Sequence, residues 1–146
     1  MIAIEFFIPV EVLPKQTKRN RIATNRRTGR QYTARYTPAE VRANAEALAL
    51  YAKRHVPNRP LRGPVLALFT FWFPFPARTS KSAVRHGWLK KHTAPDLDNL
   101  SKQLCDVLEG CGFFEVCDGQ ISDQQMLKLW GPRKYIGVNV RLEELE

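Results

Sequence analysis

Residues 95–112, PDLDNLSKQLCDVLEGCG, read as one amphipathic helix opened by aspartates and closed by glycines. At 3.6 residues per turn, Leu100, Leu104, Val107, Leu108 and Cys111 fall on one arc, and Asp98, Lys102, Asp106 and Glu109 on the opposite one. Gly110 and Gly112 supply the C-terminal stop. The apolar arc needs a sheet to cover, so the segments on either side decide the fold class. The helix start has two readings. Asp96 or Asp98 suits an N-cap, whose side-chain oxygen accepts an amide proton that the first turn leaves unpaired. Two carboxylates this close are also oxygen ligands for a hard divalent cation.

Working outward, residues 64–75, PVLALFTFWFPF, are rich in strand formers and bounded by prolines, which predicts a central strand. Its aromatics Phe71, Trp72, Phe73 and Phe75 are assigned to core packing before any interface. Residues 77–95 lack periodicity and read as a basic loop, counted from about residue 76. The first strand is expected in IAIEFFIPV, and TNRRTGRQYT predicts two short strands about a glycine-containing turn, making 15–36 a basic hairpin. A helix follows in TPAEVRANAEALALYAKRH, with Thr37 and Glu40 as a capping box and Pro38 at the first helical position. GQISDQQMLKLW and KYIGVNVRLEE predict two more strands. The expected architecture is α+β, a single domain over 1–146 with two main helices packed on a small mixed β-sheet.

Composition supports a globular chain: of 146 residues, 44% are hydrophobic and 25% charged, which is ordinary usage. The longest apolar run falls far short of the roughly 20 residues a membrane span needs, and the expectation is a soluble protein of a bacterial or phage-infected cytoplasm, without a membrane partner. Cys105, Cys111 and Cys117 stand six apart, with no C-x-x-C pair. That spacing indicates neither a zinc site nor a disulfide framework. Nothing calls for an organic cofactor.

Charge points to the partner. The net charge is +9, yet residues 1–95 carry 18 Lys and Arg against 4 acids, whereas residues 96–146 carry 5 against 10. No acid occurs between Gly63 and Pro95. A basic surface draws a polyanion through phosphate contacts and counterion release. The candidate nucleic-acid contacts are Lys15, Lys18, Arg19, Arg21, Arg26, Arg27 and Arg30 in the hairpin region, and Arg78, Lys81, Arg85, Lys90 and Lys91 in the later loop.

Acids set against such a surface suit phosphodiester cleavage. That reaction needs a hydroxide and a means of spreading charge on the transition state, and Mg²⁺ held by a few carboxylates supplies both. Mn²⁺ is a plausible substitute. An antiparallel or crossover return of the chain would bring Asp118 back alongside Asp96 and Asp98. Lys102, one turn beyond Asp98, either stabilises transition-state charge or forms an i,i+4 pair with Asp98 or Asp106, worth a few tenths of a kcal/mol.

The stretch PDLDNLSKQLCDVLEGCGFFEVCDGQI resembles the signature of the RusA family of Holliday junction resolvases. Shared features are the D-L-D-N-L helix start, a lysine four residues after the second aspartate, an aspartate in the same helix, and a later acid before Q-[IV]. FTFWFPFPARTSK, HTAPDLDN and PKQTKRNR add weaker likeness. The resemblance implies a small α+β homodimer that binds four-way DNA junctions and, with Mg²⁺, nicks two strands symmetrically in recombination and repair. It places the metal-binding acids at Asp96, Asp98 and Asp118 and the essential lysine at Lys102, with Glu115 and Asp123 as competitors for the third acid. Asn99 matches the motif and is expected to cap the helix or orient a neighbouring carboxylate. Two other readings stand beside this one: a non-catalytic basic DNA-binding protein, and a metal-dependent nuclease acting on other branched DNA or on RNA.

Overall fold

The computed structural model describes residues 1–15 and 19–146; Lys18 and the side chain of Arg19 lie outside the described residues. The chain runs β1 (Ala3–Ile8), β2 (Arg19–Thr24), β3 (Gln31–Tyr36), α1 (Ala39–Ala52), β4 (Val65–Pro74), α2 (Lys81–His86), β5 (Leu89–Lys90), α3 (Leu97–Cys111), β6 (Ile121–Gly131) and β7 (Gly137–Glu144). Five strands form one mixed sheet in the order β1-β7-β4-β6-β5, while β2 and β3 pair only with each other. The strand that the sequence makes central is β4, parallel to β6 and antiparallel to β7. Parallel neighbours need a crossover, and α3 is the helix of that crossover. It runs back across the sheet, so Ser101 meets Gln124 and the loop before its first turn meets Lys128 near the carboxyl end of β6.

Alternation along β4 buries Val65, Ala67, Phe69, Phe71 and Phe73 on one face. β7 adds Val138, Val140 and Leu142, and β1 adds Phe6 and Ile8. Onto this face pack α1, through Leu48 and Ala52, and α3, through Leu100, Leu104, Val107 and Leu108, with Phe113 filling the space beyond the helix. The apolar arc read from the sequence is therefore the buried one. Trp72 belongs to the opposite face, where its indole N–H donates to Asn139 Oδ1 at 2.8 Å. At Gly137 the backbone passes so close to β1 that a Cβ would lie 2.0 Å from the carbonyl oxygen of Ile8, and φ is +142°. Only glycine fits there.

Two local expectations are corrected. Residues 76–95 contain α2 and β5 rather than loop alone. Ser80 Oγ accepts from the Ala83 N–H at 3.3 Å, and Gly87 closes the helix at φ 99°, so caps define an element too short to show a period. The capping box at Thr37 does not form. Pro38 is the N-cap, without a side-chain bond, and its carbonyl accepts from Val41 and Arg42. Pro38 has a helix-compatible φ (−53°) but an extended ψ (141°), so the helix starts one residue later than the sequence suggests.

Glu144 ends the last strand. Its carboxylate accepts from both Arg59 guanidinium nitrogens (2.7 and 3.0 Å) and from the backbone N–H groups of Arg62 (2.9 Å) and Ile2 (3.0 Å). The Arg59 bond, then the Arg62 N–H, hold its pKa down from an ordinary 4.5 to about 2. A lowered carboxyl pKa contributes stability that is present above the unfolded value and lost as pH falls through the folded one. Glu144→Gln is expected to melt lower than wild type at neutral pH, with the gap closing between pH 4.5 and about 2. Melting curves across that range check it, and a gap that stays constant contradicts it.

Candidate active site

Asp96 occupies the N-cap position of α3 in extended conformation (φ −73°, ψ 146°), yet its side chain makes no cap hydrogen bond. Only its backbone carbonyl serves the helix, accepting from Leu100 N–H at 3.2 Å. The capping reading of Asp96 is thus overturned by geometry, and its carboxylate lone pairs stay available. Asp98 lies in the first turn and is exposed. Among the described residues neither carboxylate has an ion-pair partner, in a chain of net charge +9. Asn99 is half-buried, and its carbonyl accepts from Lys15 N–H at 3.0 Å, tying the N-terminal segment to the same helix end.

Lys102 is exposed one turn further on and, among the described residues, pairs with neither Asp98 nor Asp106. Asp106 is instead taken by the Lys15 ammonium. The ion pair that offered a purely structural use for Lys102 is absent.

Asp118 stands at the other end of α3. Its N–H donates to Glu109 Oε2 at 2.9 Å. Burial, then the Glu109 carboxyl and the charge of Asp106, raise its own carboxyl above the usual range. Glu109 is about three turns, on the order of 16 Å, from Asp98 along the axis. The intervening segment explains this placement: Phe113 and Phe114 are buried, with Leu61 N–H donating to the Phe113 carbonyl (2.8 Å) and Glu115 N–H to the Leu61 carbonyl (3.0 Å). Glu115 pairs with Arg62 at 3.0 Å. Asp123 is in register with Leu66, whereas its neighbour Gln124 reaches Ser101 of α3, so Asp123 belongs to the sheet face away from the helix. Asp96 and Asp98 therefore share one helix end and Asp118 the other. Among the described residues no three His, Cys, Asp or Glu side chains gather closely enough to hold a metal ion.

Lys128 is a residue the sequence reading passed over. From β6 its ammonium donates to the carbonyl oxygens of Thr93 and Pro95, both at 2.7 Å, directly before Asp96. Its signal is alternation: in QQMLKLW, Lys128 shares the phase of Met126 and Trp130, which pack against the core. A lysine on an inward phase needs a partner. Gln124 belongs to the same phase, donating to Ser101 Oγ at 2.6 Å.

The basic residues fall into two groups. Arg26, Arg27 and Arg30 are exposed in the β2–β3 turn, which Asn25 organises by accepting from the Arg27 (2.9 Å) and Thr28 (3.3 Å) N–H groups. The ribbon they ride on is exposed along most of its length, and Arg21 lies over the Tyr36 ring. Arg78, Lys81, Arg85 and Lys90 are exposed on the segment between β4 and α3. Lys91 is engaged within the fold, over the rings of Phe73 and Trp130 and donating to Thr93 Oγ1 at 2.6 Å. Its pKa is lowered, first by burial and then by Lys128.

Among the described residues, two carboxylates without ion-pair partners and a lysine one turn away thus stand at the N-terminal end of α3, where the helix dipole is positive. Residues 9–143 match the sequence profile of a family described as "Endodeoxyribonuclease RusA". The chain is also similar to "Uncharacterized protein YqaN" of Bacillus subtilis (strain 168), at 28% identity over 109 residues that cover 71% of this chain and 75% of that protein.

Proposed function

This chain belongs to the RusA endodeoxyribonuclease family, Holliday junction resolvases that hydrolyse phosphodiester bonds, and from that premise we propose which of its residues do the work. Asp96 and Asp98 hold Mg²⁺ at the start of α3, and Lys102 faces the reacting phosphate. The observation that carries this reading is the Asp96 carboxylate, at the N-cap position without capping, beside an Asp98 that likewise has no ion-pair partner among the described residues. The donor set fits the ion, because Mg²⁺ is bound through one or two carboxylates and otherwise keeps water and phosphate oxygens. Mn²⁺, also oxygen-seeking, is expected to substitute. When bound, such an ion lowers the pKa of water and spreads charge on the transferring phosphoryl group. Lys102 contributes a donor to the leaving or non-bridging oxygen. Asp118, at the third acidic position of the family motif, stands by Glu109 near the other end of α3 and outside this two-carboxylate set.

The hairpin arginines Arg21, Arg26, Arg27 and Arg30, with Arg78, Lys81, Arg85 and Lys90, are proposed to contact phosphates along the junction arms. A four-way junction has an approximate twofold axis, and paired nicks in opposed strands require two sites related in the same way. A homodimer supplies them.

The test is incubation with a labelled mobile four-way junction and with linear duplex, in Mg²⁺ or in EDTA. Symmetric nicks in the junction that vanish with EDTA are expected; unchanged cutting in EDTA, or equal cutting of linear duplex, overturns the reading. Replacing Arg26, Arg27 and Arg30 by alanine is expected to weaken binding in every sequence context and to lower the salt slope by about 1 per lost phosphate contact. An unchanged slope takes the hairpin off the DNA.

A further inference from the structure

We propose that Lys128 is a positioning residue for the resolvase site, its ammonium fixing the backbone that delivers Asp96 to the first turn of α3; this rests on the reading of Asp96 and Asp98 as metal ligands. The segment entering α3 is tied to β6 at Lys128 by three bonds. Lys91 N–H donates to the Lys128 carbonyl at 2.9 Å, and Lys128 Nζ donates to the carbonyls of Thr93 and Pro95 at 2.7 Å each. The Pro95 carbonyl belongs to the peptide unit whose nitrogen is that of Asp96. Lys91 adds a bond from its own ammonium to Thr93 Oγ1 at 2.6 Å, while its charge rests over Phe73 and Trp130. The loop is thus fastened to β6, a strand paired on both sides, with β4 and with β5.

The geometry calls for a long side chain that carries more than one donor. The two acceptors are neutral carbonyls from one loop, converging on a point that a side chain of β6 reaches. Lysine carries three donors on a long stem, so one group satisfies both oxygens. It forms no ion pair with a carboxylate among the described residues, which leaves Asp96 and Asp98 their full charge toward a cation. Misplacing a reacting group by about 1 Å costs on the order of 100-fold in rate. Removing a group that orients a metal ligand typically costs about 10–100-fold in metal affinity or activity.

Lys128→Met keeps the stem and removes the donors, Lys128→Arg keeps donors, and Asp98→Asn tests the site itself. Each is titrated with Mn²⁺ in the absence of DNA, followed by paramagnetic resonance, and then assayed for melting temperature, junction affinity and single-turnover cleavage at saturating enzyme. The expected result is Mn²⁺ affinity and cleavage both down by about 10-fold or more in Lys128→Met, with junction affinity and its salt slope unchanged and substantial recovery in Lys128→Arg. Should Asp98→Asn bind Mn²⁺ as wild type does, the metal reading falls and this proposal with it. If Asp98→Asn loses Mn²⁺ while folded Lys128→Met binds and cuts within about twofold of wild type, the metal site stands and the positioning role is overturned. A loss confined to junction affinity and salt slope makes Lys128 a phosphate contact instead, which also overturns it. If Lys128→Met does not fold, Lys128→Arg decides: Mn²⁺ affinity near wild type supports the proposal, and a loss equal to that of Asp98→Asn refutes it.

Discussion

Asp98→Asn is expected to stop junction cleavage while junction binding and fold survive, and Asp96→Asn is expected to behave in the same way. An amide is nearly isosteric with a carboxylate but lacks the charge that a hard cation needs. Neither side chain has an ion-pair partner among the described residues, so little in the protein is broken by the change. Asp98 gives up at most its favourable interaction with the helix dipole, about 0.3–1 kcal/mol at an exposed site. The rate should fall on the order of 1,000-fold or more, as it does when a member of a catalytic unit is removed. Single-turnover cleavage beside a gel-shift titration of uncut junction separates the two effects. Cutting at the wild-type rate by either variant would remove that residue from the site.

The second large effect is expected at Lys102. Because Asp106 is engaged by Lys15 and neither Asp98 nor Lys102 has an ion-pair partner among the described residues, Lys102→Ala should leave the melting temperature almost unchanged. If its ammonium stabilises charge at the reacting phosphate, the loss appears in the rate. Removing one preorganised donor of this kind typically costs on the order of 100-fold, with far less effect on binding of the uncut junction. Cleavage within about threefold of wild type would return Lys102 to an ordinary solvated side chain.

The features most legible in the sequence were those with a repeating period. Leu100, Leu104, Val107 and Leu108 showed the buried arc of α3, and alternation from Val65 to Phe73 showed a strand with one face in the core. Elements set by a single bond were not legible. Ser80 and Gly87 define α2 across too few residues for a pattern, and whether Thr37 or Pro38 begins α1 depends on one residue's backbone angles. The candidate site divided along the same line. The motif put Asp96 and Asp98 at a helix start, but the location of Asp118 depends on how Phe113 and Phe114 bury themselves against Leu61, a long-range contact that no local spacing encodes. Lys128 was legible in principle, since an inward-phase lysine beside Met126 and Trp130 breaks the alternation. Its acceptors, two backbone carbonyls some 35 residues away, were not.

The position of β7 has a consequence for when the sheet is completed. This strand follows all the others in sequence, yet it lies inside the sheet, with β1 on one side and β4 on the other. Ala3 is in register with Glu143, and Val65 with Glu144. A nascent chain that has already exposed α3 and both aspartates still lacks the strand joining its first edge to its centre. Such sequence-distant pairing raises contact order and slows folding. The sheet that α3 packs on is therefore completed only after residues 137–144 have left the ribosome.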